Sequence, residues 1–157
     1  MTEQTEPQSQ ALKLEHFLPY KLSIVNASVS EMIAQVYLGE FSLSPQEWRV
    51  MAALGENTRM TAKEITLFSH MDKMQVSRAI SRLKQANLVA LQTSPDDARM
   101  TWVSLNEQGL AIYQKIVPLV LAKENDLLSV LSKDEQQLLA HFLDKMLHQS
   151  KQVKEWS

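Results

Sequence analysis

Apolar residues recur every three or four positions over most of this chain, and only one stretch reads as strands, so the pattern predicts a mainly helical protein with a single hairpin. The first helical run, about Leu18 to Leu38, carries Leu22, Val25, Val29, Ile33 and Val36 at helical spacing, and Gly39 can close it. A second run opens at Ser44-Pro45-Gln46-Glu47. There the serine caps, the proline occupies a first-turn position whose missing N–H costs nothing, and the glutamate reaches back to the cap. Trp48, Val50, Met51 and Leu54 are its apolar residues over about three turns, up to Gly55, which can take the left-handed conformation that ends a helix.

The same punctuation recurs twice at short range. Thr61 and Glu64 form a capping box, with Met60 and Ile65 as a hydrophobic staple, and this helix ends near Ser69 or His70. Asp72 then caps a third helix, with Gln75 in the reciprocal position and Met71 and Val76 as the staple. Two short helices joined so tightly predict a helix-turn-helix. On the third helix Val76, Ala79, Ile80 and Leu83 share one arc that must face the core, and Met74, Arg78, Ser81, Arg82 and Gln85 lie opposite, flanked by Gln75 and Ser77. An outer face of arginine among short polar side chains suits base edges, since arginine forks onto guanine O6 and N7 and glutamine or serine can donate or accept. A solvated helix face has the same composition, so the neighbouring segments decide.

Those neighbours form a wing. Leu88 to Thr93 and Met100 to Leu105 flank the turn Ser94-Pro95-Asp96-Asp97, which predicts a β-hairpin. Arg99 lies two residues past Asp97, close enough for the carboxylate to orient its guanidinium. An arginine on a thin ribbon suits a narrow, electronegative minor groove. Taken alone, it also reads as an ordinary surface ion pair.

The motifs "LSPQEWRVMAAL", "MTAKEI", "MDKMQVSRAISRLKQANLV" and "SPDDARMTWVSLNEQG", in this order and spacing from Ser44 to Gly109, resemble the DNA-binding core of the MarR family of bacterial transcription regulators. The resemblance implies a homodimer, with Met74 to Leu83 in the recognition helix and Asp97 and Arg99 in the wing. Three positions depart from the family pattern: Asn87 stands where glycine is common, Met100 where a second basic residue is frequent, and Asn106 where threonine often caps the next helix. Asparagine tolerates a left-handed backbone and caps well, so only Met100 changes the picture, by weakening the wing's hold on phosphate.

Net charge is −2, which at first argues against a nucleic-acid partner. Its distribution does not. From Arg59 to Trp102 seven basic residues face four acidic ones, a balance of +3, and the rest of the chain carries −5. So small a positive lobe predicts that binding depends on two half-sites acting together. The reading is therefore double-stranded DNA on a pseudo-palindromic site, entered by recognition helices about 34 Å apart. Gln75, Ser77, Ser81, Arg78 and Arg82 would meet base edges or adjacent phosphates, Thr61, Lys63 and Lys73 would hold the backbone, and Asp97 with Arg99 would form the minor-groove wing.

With 157 residues and 45% hydrophobic content, one sizeable core is expected. The predicted architecture is mainly α with a small β-hairpin, a winged helix-turn-helix core flanked by N- and C-terminal dimerisation helices. Its parts are a disordered tail over residues 1–10, an N-terminal helix over 11–43, the DNA-binding lobe over 44–105 and C-terminal helices over 106–157. The helix starting at Asn106 is unusually apolar up to about Leu131 and contains Pro118, which should kink it. The last helix, capped by Ser132 with Glu135, presents Leu138, Leu139, Phe142, Leu143, Met146 and Leu147. Helices this apolar exceed what so small a chain can cover, which points to a second copy.

Other chemistry is poorly supported. The absence of Cys excludes a thiol redox sensor and thiolate metal sites. His141 and His148 are seven apart, about 10 Å along one helix and too far to share an ion within one chain, and His16 and His70 read as solvated histidines, so no metal or other cofactor is expected. No phosphate-cradling glycine loop, nucleophile elbow or paired-carboxylate motif indicates an enzyme. No run of about 18 apolar residues predicts a membrane span, and residues 1–10 lack a signal-peptide pattern, so a cytoplasmic protein is expected.

The resemblance further implies repression as the commoner mode, and a small aromatic or phenolic effector held between the dimer helices and the DNA-binding lobe. By that analogy Tyr20, Trp48, Arg49 and Trp102 are pocket candidates, although the two tryptophans better suit the core and Arg49 a surface or DNA-proximal charge. The rival reading is a winged helix serving as a protein-interaction module, which would show an apolar patch where Arg78, Arg82 and Arg99 stand.

Overall fold

Reciprocal caps start four of the helices. In the computed structural model, which describes residues 12–154, the backbone N–H groups of Ser44, Thr61, Asp72 and Ser132 donate to the side chains of Glu47, Glu64, Gln75 and Glu135 at 2.8, 2.7, 3.2 and 2.7 Å. The four capping side chains accept in return from the backbone three residues on. Each cap contributes about 1 kcal/mol, so the positions at which these helices start are specified by local sequence. The segment 1–10, expected as a tail, lies outside the described residues.

The order of elements is α1 (Leu18–Leu38), α2 (Pro45–Glu56), β1 (Met60–Thr61), α3 (Ala62–Ser69), α4 (Lys73–Gln85), β2 (Val89–Thr93), β3 (Thr101–Leu105), α5 (Glu107–Leu128) and α6 (Lys133–Lys154), with a 3-10 turn at Leu14–His16. This is the mainly α fold with a small β element that the sequence predicts. The strands add one feature beyond the hairpin. β3 is central, pairing antiparallel with β2 from Val89–Leu105 to Thr93–Thr101 and with β1 through Met60–Val103 and Thr61–Trp102.

One core joins these parts. Val50, Met51 and Leu54 of α2, Ile65 of α3, Val76 and Leu83 of α4, Val103 of β3 and Ile116 of α5 are all buried together. Fully burying such a side chain stabilises by about 1.5–3 kcal/mol, so this cluster holds the helix-turn-helix against the sheet and α5. Pro118 lies within α5, which runs unbroken from Glu107 to Leu128.

Two glycines act differently from their expected role. Gly39 does follow α1, but with φ −70°, and the left-handed turn comes later, at Ser42 with φ 53°. Gly55 lies inside α2, which ends at Glu56 before Asn57. Its requirement is space, because a Cβ there would overlap the Tyr113 ring of α5.

Among the described residues, α6 makes few contacts with the other elements. Leu138, Leu139, Phe142, Leu143 and Leu147 are all more than 40% exposed, and among the described residues no other helix or strand packs closely along that row. The turn leading into it is held by Gln136, whose Nε2 donates to the carbonyls of Leu128 and Leu131 at 3.0 Å.

Candidate nucleic-acid interface

α4 buries one face and presents the other. Val76, Ala79, Ile80 and Leu83 are buried, while Met74, Gln75, Ser77, Arg78, Ser81 and Arg82 are exposed. The helix is held between Asp72, its N-cap, and Asn87, whose φ of 56° is the left-handed turn that stops it. His70, at φ 54°, makes the sharp turn from α3. Gln75 has its Oε1 committed to the Asp72 N–H, which leaves the amide N–H₂ as its free group.

Arg78 and Arg82 border a cleft of about 250 Å³ between α4 and the start of α2, together with Ser44, Glu47 and Gln75. Glu47 is the buried charged residue among the described ones. Its Oε2 accepts from the Ser44 N–H, and its Oε1 lies 3.9 Å from Arg82 Nη1. Sequence reasoning read Glu47 only as a capping residue, because pairing between α2 and α4 has no signature along the chain.

Lys63 and Lys73 line a second, more apolar cleft at the junction of α3 and α4, with Ala62, Thr66 and Leu67. Thr61 is engaged within its own turn: its hydroxyl donates to Glu64 Oε2 at 2.9 Å and accepts from the Glu64 N–H at 3.3 Å. The backbone N–H of Thr61 and, after it, the Thr61 hydroxyl, both donating to Glu64 Oε2, hold the Glu64 carboxyl below the usual carboxylate range.

In the wing, Asp97 acts on backbone and not on the arginine head group. Its Oδ1 accepts the Arg99 N–H at 2.9 Å, and Met100 N–H donates to the Asp97 carbonyl at 2.9 Å. No ion pair ties the Arg99 guanidinium among the described residues, so it projects from a braced turn as a free cation. The turn type allows this because an Asx side chain two residues before an N–H reaches backbone more easily than a long, mobile side chain. At the sheet's other edge the Arg59 guanidinium lies 4.7 Å from the Trp102 ring centre, a cation–π contact. A two-residue strand carries no visible alternation, so sequence reasoning left Arg59 without a place beside the wing.

The four pocket candidates are dispersed. Trp48 stacks between Tyr37 and Tyr113, with ring centres 5.7 and 5.9 Å away, and it also lines a mostly apolar cleft of about 310 Å³ with Val29, Ile33, Val120, Leu128 and Glu124. Tyr20, Arg49 and Trp102 lie off that cleft. Tyr20 precedes Ile33 by 13 positions on α1, about 20 Å. Burial pushes the Tyr37 hydroxyl pKa up, and the nearby Arg49 charge offsets part of this.

Among the described residues no helix is long and apolar enough to cross a membrane, and no three His, Asp or Glu side chains gather as a metal site.

Residues 41–100, which span this arrangement from the start of α2 to the wing tip, match the MarR family. The chain is 29% identical over 105 residues to the transcriptional repressor IacR of Pseudomonas putida, covering 67% of this chain and 62% of that protein, less than two thirds of its length. Among solved structures it is similar to an Escherichia coli MarR variant complexed with operator DNA, with a TM-score of 0.76, 24% identity and coverage of 83% of this chain and 93% of that one. It is likewise similar to Bordetella bronchiseptica BpsR, described with regulation of its DNA binding by 6-hydroxynicotinic acid, with a TM-score of 0.79, 21% identity and coverage of 86% and 96%. These two likenesses show the fold.

Proposed function

We propose that this chain is a transcription regulator of the MarR family, a DNA-binding protein and not an enzyme, that represses transcription as a homodimer on a specific, pseudo-palindromic operator. The observation that carries the reading is α4: four buried apolar residues anchor a helix whose exposed side offers Gln75, Ser77, Arg78, Ser81 and Arg82. In the proposed complex this helix enters the major groove, Arg78 forks onto guanine and the free Gln75 amide donates to a base acceptor. Lys63 and Lys73 meet phosphates, Thr61 holds the turn beside them, and Arg99 enters the minor groove from the wing braced by Asp97.

Residues 44–105 form the DNA-binding lobe in this reading, and 11–43 with 106–157 supply the dimer contacts. Support for the second copy is the exposed apolar row on α6 and a similar row on α1, where Leu18, Leu22 and Val25 are at least 40% exposed. Repression follows the relative named as a repressor.

An aromatic or phenolic effector completes the proposal. The aromatic wall of Trp48 and the apolar cleft beside it, between α1, α2 and α5, are the features that suit a small ring. Such a ligand lowers DNA affinity only if it favours a dimer whose recognition helices are wrongly spaced.

Selection from a genomic fragment library, followed by salt titration of the selected site, tests the reading. A two-fold symmetric site with a steep salt slope is expected. Weak retention without sequence preference overturns it in favour of a protein-interaction module.

A further inference from the structure

A buried carboxylate directly behind the recognition helix is a costly thing to place on a face meant for a polyanion, and its cap does not explain its charge. Glu47 is nine-tenths buried, and one of its oxygens already serves the capping box through the Ser44 N–H at 2.8 Å. A neutral side chain would do the same work: in α4 of this chain Gln75 fills the equivalent capping position for Asp72. The charge is therefore surplus to helix capping, and its second oxygen faces Arg82 Nη1 across the α2–α4 cleft at 3.9 Å.

The two partners are unequally held. The Glu47 side chain is 10% exposed and fixed by its cap, whereas that of Arg82 is 68% exposed. A fixed charge opposite a mobile one restricts the mobile one. Without Glu47, the guanidinium would be free to follow whichever phosphate lay nearest, and that contact carries no sequence information.

We propose that Glu47 is a positioning residue for DNA recognition, holding Arg82 over the cleft so that it meets one register of the operator and withholding it from phosphates at large. The inference rests on the DNA-binding reading above. Glu47 acts in two ways: it orients Arg82 through the ion pair, and it lowers affinity for arbitrary DNA by cancelling part of the positive charge behind α4. The first raises the ratio of specific to non-specific binding, and the second lowers both affinities alike.

The test compares wild-type protein, Glu47→Gln, Arg82→Gln and the double variant, each titrated against the selected operator and against a scrambled duplex of the same length and salt concentration. Glutamine keeps the cap, so thermal unfolding of Glu47→Gln should match the wild type. The expected result is a specificity ratio lowered about three- to tenfold in Glu47→Gln, mainly through tighter binding to scrambled DNA, a size in keeping with a partly exposed ion pair. In the Arg82→Gln background the same change should alter the ratio little, because the residue being positioned is gone. An unchanged ratio in Glu47→Gln, additive effects of the two substitutions, or a ratio that falls only together with thermal stability overturns the positioning role while leaving DNA binding intact. Failure of the wild-type protein itself to distinguish the two duplexes overturns the DNA-binding reading, and the positioning role with it.

Discussion

Asn106 ties the start of α5 to the end of α4 through Asn87: its Nδ2 donates to the Asn87 carbonyl at 2.8 Å while its Oδ1 accepts the Gly109 N–H at 2.9 Å. One side chain thus caps a long helix and bridges to the left-handed residue that stops the DNA-facing one. Asn106→Ala should cost about 1 kcal/mol in urea unfolding, the usual worth of a cap. Asn106→Ser keeps a capping oxygen and deletes the amide donor, so it should recover most of that loss. Equal losses for serine and alanine would assign the stabilisation to the bridge and not to the cap.

Close packing at the same joint gives a second expectation. A Cβ on Gly109 would overlap the Leu88 carbonyl, which is backbone and cannot turn aside, whereas a Cβ on Gly55 would meet the Tyr113 ring. Alanine normally stabilises a helix relative to glycine, yet here the overlap decides the sign. Gly109→Ala should destabilise by about 1–3 kcal/mol or more. Gly55→Ala should cost a similar amount in the wild type and little in a Tyr113→Ala background, a coupling measurable by a double-mutant cycle.

Local chemistry made most of the fold legible in the sequence. Ser44, Thr61, Asp72 and Ser132 each announce a helix start by residue type and by spacing to a partner three positions on, Asn106 does so by residue type alone, and Val76, Ala79, Ile80 and Leu83 announce the buried side of α4 by period. Contacts between distant segments leave no such trace. β1 is two residues long, too short to alternate, and is defined only by pairing with β3. Gly55 reads as a helix stop until Tyr113 arrives from α5, and Glu47 reads as a cap until α4 brings Arg82 beside it. The Asp97–Arg99 spacing was visible, but distance along the chain could not say that the carboxylate bonds the N–H and leaves the guanidinium free.

Acid sensitivity should follow from the α3 cap. The Thr61 N–H and hydroxyl hold the Glu64 carboxyl below its ordinary range, so the folded state binds its proton less readily than the unfolded chain. That contribution is fully present above roughly pH 4.3, the unfolded value, and is lost as pH falls through the lower folded value. Glu64→Gln retains a cap without a titrating group. The stability advantage of the wild type over this variant should shrink below about pH 4.3. Melting temperatures followed from pH 7 to 3 check this, and a constant difference across the range would contradict it.

The two exposed arginines of the proposed interface should fail differently. Arg78→Ala should alter base preference and cost roughly 1–3 kcal/mol on the preferred operator if it forks onto guanine. Arg99→Ala should weaken binding and relax preference for A·T flanks, since a narrow minor groove is what selects an inserted arginine. Asp97→Asn keeps an acceptor for the Arg99 N–H and should bind nearly as the wild type, whereas Asp97→Ala loosens the turn and should move toward Arg99→Ala. Operator variants measured at fixed salt separate these outcomes, and unchanged affinity in Arg99→Ala would remove the wing from the interface.

The apolar row on α6 provides the sharpest separation between a lone chain and a dimer. Phe142 is 53% exposed, with Leu138, Leu139 and Leu143 beside it on the same helix. In a lone chain Phe142→Glu would replace an exposed ring by a solvated charge, with a stability change within about 0.5 kcal/mol. In a two-fold dimer the same substitution enters the interface twice and leaves unpaired charges where apolar side chains met, a loss on the order of several kcal/mol. Sedimentation of the variant at micromolar concentration should therefore show a monomer with wild-type helix content. Operator affinity should fall with it, because each half-site alone gains nothing from its neighbour. A Phe142→Glu protein that remains dimeric and binds DNA normally would place the second copy on some other face.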